Sequence, residues 1–243
     1  MKLYIMLLTY ASDPTDPRAM YAEMTLSSVL NKLEFDGEVS VHIADDGSFE
    51  GYTERLRDIA GGYKHVHGVT VTNGDRGGYG HSYNLATQVI HAYDPHVILP
   101  LEDDWTIQDG ACGLTPNLNT TPFMEDLLHD PRINCIRFGY LGFTQRLRGE
   151  IIAGPSGQKY LLFDPESEER HVFAGHPRFE TIQFQRNIGP WPEGHDPGTT
   201  EFIVAGQPQA RVGVVWPMDI PQRFVHIGAK QARTDQRAYP EVQ

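Results

Sequence analysis

Residues 96–105 read HVILPLEDDW, an apolar run of strand length that ends in three consecutive carboxylates, Glu102, Asp103 and Asp104. A short continuous run of this kind, opened by Asp94-Pro95 and closed by acids, marks a strand covered on both faces. Three adjacent carboxylates repel one another unless a cation or water offsets their charge. Along extended backbone, residues 102 and 104 project to the same side. Two carboxylates converging in this way suit a hard divalent ion, Mn2+ or Mg2+, which favours oxygen ligands and keeps open positions for a diphosphate. A solvated acidic loop is the plain alternative.

On its amino-terminal side this run has three companions: LYIMLLTY at 3–10, VSVHIADDGS at 39–48 and the segment Val66 to Thr72. Helical patterns separate them. From Ala19 to Leu33 the apolar residues Met20, Met24, Leu26, Val29, Leu30 and Leu33 recur at helical spacing. Glu54 to Ile59 continues as a helix closed by Gly61-Gly62, and Ser82 to Tyr93 as a third that Asp94-Pro95 ends. This alternation predicts an α/β fold with a doubly wound, largely parallel sheet and ligands gathered at the carboxyl ends of the strands. Polar residues stand at three such ends: Thr9-Tyr10, Asp45-Asp46-Gly47-Ser48 and Glu102-Asp103-Asp104.

Between Asn73 and Gly80 a glycine-rich loop with Arg76 offers backbone amides and a guanidinium, both suited to phosphate. Its spacing matches neither GxGxxG nor GxxxxGK[ST], which removes the main support for NAD-binding and ATPase readings. Past Trp105 the composition shifts toward Gly, Pro and aromatics. A helix is expected at 121–129, strands near 134–139, 159–163, 171–174, 211–216 and 223–227, and a solvated hairpin tip at 166–170. The expected organisation is a single domain over 1–243, with a nucleotide-binding half at 1–105 and an acceptor-binding half at 106–243.

The chain has 243 residues, with 20 Lys and Arg against 32 Asp and Glu, and its formal charge of -12 disfavours nucleic-acid backbones and anionic membranes as partners. The 24 glycines and 17 prolines follow no period, which excludes collagen-like and solenoid folds. Cys112 and Cys135 form no CxxC, so they are expected as free buried thiols in a reducing, cytoplasmic setting. The initial apolar run lacks a cleavage site and reads as a strand, and no run is long enough for an integral membrane segment. The sequon Asn119-Thr120-Thr121 matters only in a secreted chain.

Taken together, LLTY, IADDGS, NGDRGGYGHSYNLA and ILPLEDDW resemble the family 2 type of GT-A glycosyltransferase, with the last in the position of its D-x-D motif. GHPRFE, IGPWPEG, TTEF and FVHIG are similar to its acceptor-side segments. The resemblance implies that Thr9, Tyr10, Asp45 and Asp46 hold the nucleoside and that Arg76 sits near base or phosphate. It also implies that Glu102 and Asp104 face a metal-diphosphate, with His226 a late metal ligand or phosphate contact. Two departures stand out: Glu102 is the first acid of the D-x-D, and Thr200-Glu201 replaces the common Glu-Asp pair.

The implied activity is transfer of a sugar, with inversion, from a nucleoside-diphosphate sugar such as a UDP-sugar to the hydroxyl of an acceptor: glycan, protein or modified nucleic acid. Mn2+ or Mg2+ would assist. Glu201 is the candidate base, at the start of a helix capped by Thr199 or Thr200, with Asp196 and then Asp219 as alternatives. A nucleotidyltransferase acting on sugar phosphates and a catalytically silent nucleotide-sugar binding module remain competing readings. His65 and His67 read as strand-edge residues, and Trp105, Trp191 and Trp216 as core unless exposed.

Overall fold

The computed structural model describes residues 1–107, 117–139, 146–169, 172–218 and 223–228. Cys112 and Asp219 lie outside the described residues. The strands are β1 Lys2–Thr9, β2 Leu33–Glu34, β3 Glu38–Asp45, β4 Val66–Asn73, β5 Val97–Glu102, β6 Trp105–Ile107, β7 Leu118–Asn119, β8 Cys135–Arg137, β9 Gly149–Ala153, β10 Lys159–Phe163, β11 Arg178–Thr181, β12 Val214–Pro217 and β13 Phe224–His226. The helices are α1 Pro17–Lys32, α2 Tyr52–Gly61, α3 Tyr79–Tyr93, α4 Thr121–His129, α5 Ile182–Ile188 and α6 Pro197–Ala205.

One nine-stranded sheet, ordered β4-β3-β1-β5-β11-β8-β12-β10-β9, draws strands from both sides of Trp105. Its first four strands are parallel, and β11 is inserted antiparallel between β5 and β8. Register sets the site: Thr9 lies beside Asp45, and Leu8 beside Glu102. The three polar strand ends read from the sequence therefore share one edge.

Alternation along β1 sends side chains to two cores. Leu3, Ile5 and Leu7 pack with Leu26, Val29 and Leu30 of α1 and Leu56 of α2, whereas Tyr4, Met6 and Leu8 pack with Tyr83, Ala86 and Ile90 of α3. The buried face of α1 also uses Ala19 and Ala22, so Met20 and Met24, read as part of its stripe, are exposed. Asp16 caps this helix, accepting from Arg18 N ahead of Pro17.

Three expectations for the later half need correction. Residues 172–174 form no strand; their carbonyls turn to buried arginine side chains, and the ladder strand falls at β11 instead. The stretch 166–169 is no solvated tip, because Ser167 and Glu169 are buried and their carbonyls accept from Arg211 Nη2. Finally, α6 is capped by Asp196 rather than a threonine, with Asp196 Oδ1 accepting from Thr199 N at 3.0 Å. Glu201 thus sits one turn inside the helix. Cys135 is a free buried thiol, as expected.

Candidate active site

At the carboxyl ends of β1, β3 and β5 lies a cavity of about 240 Å³, walled by Thr9, Tyr10, Asp46, Glu102, Asp103 and Asp104 together with Arg18, Tyr79, Ser82 and His195. Each wall is held by a turn that the sequence encodes. Asp45 accepts from Gly47 N at 3.2 Å and Ser48 N at 3.0 Å, closing the turn after β3. Asp46 Oδ1 accepts from Gly78 N and Ser82 Oγ, both at 3.0 Å, tying that turn to α3. Close approach demands glycine at position 74, where a Cβ would lie 2.9 Å from Asp46 Oδ1 and clash with Ser82 Oγ.

The glycine-rich loop differs from its reading as a set of bare amides. Gly74 N donates to Asp45 O, Arg76 N to Asp46 O and Gly77 N to Gly74 O. The first two of these amides satisfy carbonyls at the end of β3 and the third closes the loop on itself, so the loop presents Arg76 instead. Its guanidinium covers the Tyr10 ring at 3.8 Å from a backbone at φ 63°.

Asp103 was missed as a functional residue, although it stands inside the acidic triplet. It is buried, accepts from Thr9 Oγ1 at 3.1 Å and from Tyr10 N at 3.3 Å, and has Arg18 Nη1 3.9 Å away. Burial pushes its carboxyl up to about 7, against the pull of Arg18 and the Thr9 hydrogen bond. Arg18 itself was missed because it follows a turn with no motif. Burial, followed by repulsion from Glu201, Asp104 and Asp103, likewise raises Glu102 well above the usual carboxylate range.

Asp104 Oδ2 lies 2.9 Å from His226 Nε2, and the antiparallel pairing of β13 with β6 brings the two together. Asp104 Oδ1 is buried with no partner among the described residues. No group of three or more His, Cys, Asp or Glu side chains is arranged to hold a metal ion among the described residues. An orphaned buried carboxylate oxygen beside Glu102 and His226 nevertheless fits an ion that takes one or two protein carboxylates and completes its shell with water and phosphate.

Glu201 comes to the same region from α6. Both its carboxylate and that of Glu102 press against Gly175. Burial raises Glu201, while the Gly175 amide, Arg178 and Arg137 oppose the rise. Asp196, the alternative base, accepts from both Thr199 N and Thr199 Oγ1 as the helix cap. The structure thus gathers Thr9, Tyr10, Asp46, Glu102 and Asp104 on the cavity wall. Asp45 lies behind it, Arg76 over Tyr10, His226 against Asp104, and Glu201 across Gly175. Trp105 and Trp191 are buried, Trp216 donates to Gly139 O, and His67 is an exposed edge residue of β4.

No protein-family model matches the chain, and a search of curated proteins finds no match. Among solved structures, GalNAc-T7 with UDP, GalNAc and Mn2+ is similar with a TM-score of 0.53 and 13% identity, over 89% of this chain and 42% of that one. Apo mouse xyloside xylosyltransferase 1 gives 0.45 and 11%, over 87% and 78%, and an active-site mutant of LgtC gives 0.45 and 15%, over 89% and 72%. The chain spans about two fifths of the length of GalNAc-T7. Among the described residues no helix is long and apolar enough to cross a membrane. The nine-stranded, largely parallel sheet and the GalNAc-T7 likeness identify the fold as that of the GT-A glycosyltransferases.

Proposed function

We propose that the chain is a metal-dependent inverting glycosyltransferase that moves a sugar from a nucleoside-diphosphate donor, with UDP-sugars the first class to test, to an acceptor hydroxyl. One observation supports this reading: the acidic strand end on the cavity wall, where Asp104 has a buried oxygen with no partner among the described residues, lies beside a second, separately held carboxylate, Glu201, which meets Glu102 at Gly175. Glu102, Asp104 and His226 are the residues that would hold Mn2+ or Mg2+. Such an ion supplies positive charge to the departing diphosphate.

Thr9, Tyr10 and Asp46 bind the nucleoside from the ends of β1 and β3, and Arg76 orients the Tyr10 ring beside it. Glu201 accepts the proton of the attacking hydroxyl. Its raised carboxyl suits that task, because a base whose affinity for protons lies nearer the working pH takes the proton with more driving force. Tyr79, half-buried on the cavity wall, packs against the buried Trp191 and excludes water from that side. Incubating the protein with a panel of UDP-, GDP-, dTDP- and CMP-sugars plus Mn2+ tests the reading. Donor-specific binding with slow hydrolysis is the expected result; no binding of any nucleotide, with or without metal, overturns it.

A further inference from the structure

We propose that Gly175 is the positioning residue for Glu201, an inference that rests on the transfer reaction proposed above. The backbone of Gly175 gives no reason of its own for glycine, since it is not among the positions with positive φ. What requires glycine is space. A Cβ there would overlap Glu201 Oε1, approach Glu201 Cδ to 2.9 Å and lie 3.0 Å from Glu102 Oε1. The missing side chain lets the Glu201 carboxylate lie directly against the Gly175 backbone, beside the acidic strand end.

The loop that delivers Gly175 is pinned residue by residue. Arg137 and Arg178 are register partners on β8 and β11, and both side chains are buried. Arg137 Nη1 donates to Val172 O at 3.0 Å, and Arg137 Nη2 lies 3.2 Å from His176 Nδ1. Arg178 Nη1 lies 3.4 Å from both Ala174 O and His176 O, while Phe138 N donates to Pro177 O at 2.9 Å. Arg178 is fixed in turn by Glu180 at 2.8 Å and the Tyr83 hydroxyl at 2.7 Å. Two buried guanidiniums thus direct donors to a short irregular segment that forms no ladder, and that segment holds the Gly175 backbone against Glu201.

Gly175→Ala tests the assignment, because the atoms it displaces are ends of flexible side chains and the fold can accommodate them. Transfer should fall about 10²-fold in kcat, as expected for a reacting group displaced by an ångström or so, a loss larger than any change in donor KM or nucleotide affinity because the Cβ crowds Glu201 Oε1 far more than Glu102 Oε1. Glu201→Asp draws the carboxylate back by one methylene, so adding Gly175→Ala to that variant should cost little more. Equal losses on both backgrounds, or an unchanged kcat in the single variant, overturn the inference.

A second readout needs no turnover. The Gly175 amide resonance should shift in the NMR spectrum on Glu201→Gln, which replaces the charged group packed against that backbone with a neutral one. An unmoved resonance overturns the positioning role whatever the activity. If the resonance moves while the wild-type protein transfers from no donor, the transfer reading fails and the contact stands.

Discussion

Asp104 meets His226 at 2.9 Å through one carboxylate oxygen, while the other oxygen is buried without a partner among the described residues. A buried carboxylate oxygen left unsatisfied costs on the order of a few kcal/mol, so its retention points to a ligand that completes it. Asp104→Ala should keep the fold and abolish the Mn2+-dependent part of nucleotide affinity. His226→Ala should weaken it by about 10- to 100-fold, the effect of losing a ligand's supporting contact. Calorimetric titration of UDP with and without Mn2+ reads both; metal-independent binding of equal strength in all three proteins would remove these residues from the site.

Glu201→Gln retains shape and donor binding but should lose transfer by about 10²-fold or more. Because burial raises its carboxyl, wild-type kcat should climb with pH through that raised value, as the base becomes ionised. Asp196→Asn keeps a capping oxygen and should transfer normally, whereas Asp196→Ala should cost about 1 kcal/mol of stability through the lost cap. Near-normal transfer by Glu201→Gln together with a large loss in Asp196→Asn would move the base to the loop.

His42 is fully buried on β3, with its ring nitrogens 2.8 and 3.0 Å from the hydroxyls of Thr70 and Thr72 on β4. Burial lowers its pKa to about 4. The unfolded chain therefore binds this proton first. Stability from neutral His42 is complete above about pH 6.5 and is lost as pH falls toward 4, by roughly 3 kcal/mol at most. His42→Gln should flatten that part of the pH–stability curve in urea titrations; an unchanged slope would show that the ring is solvated.

The Arg178–Glu180 pair, at 2.8 Å with both side chains buried, makes a second stability test. Arg178→Met leaves Glu180 buried and unpaired, and should cost about 3 to 5 kcal/mol. Adding Glu180→Leu should recover much of that loss, because no uncompensated charge then remains. Denaturant midpoints of the two variants settle the point, and additive losses would contradict the pairing.

Much of the amino-terminal frame was legible because local rules set it. Apolar runs of strand length, helical spacing between them and the turn residues Asp16-Pro17, Asp45-Asp46-Gly47 and Asp94-Pro95 each act within a few positions of themselves. Even there, the phase of α1 escaped the count of apolar residues. Ala19 and Ala22 take the buried side, where neighbouring elements leave room for small residues, and Met20 and Met24 face water.

Beyond Trp105 the ladder partners are distant in sequence, and a short strand such as β11 can be paired only once β5 and β8 are in place. For that reason 172–174 read as a strand and 178–181 did not. The sequence by itself determined the alternating elements and the polar residues at three strand ends, since periodicity and turn chemistry are local. Only the tertiary structure decided that Thr9, Asp46 and Glu102 share one wall, that His226 pairs with Asp104, and that Gly175 stands between Glu102 and Glu201. Those relationships arise from parallel register and from contacts across long stretches of chain, which no spacing along the sequence encodes.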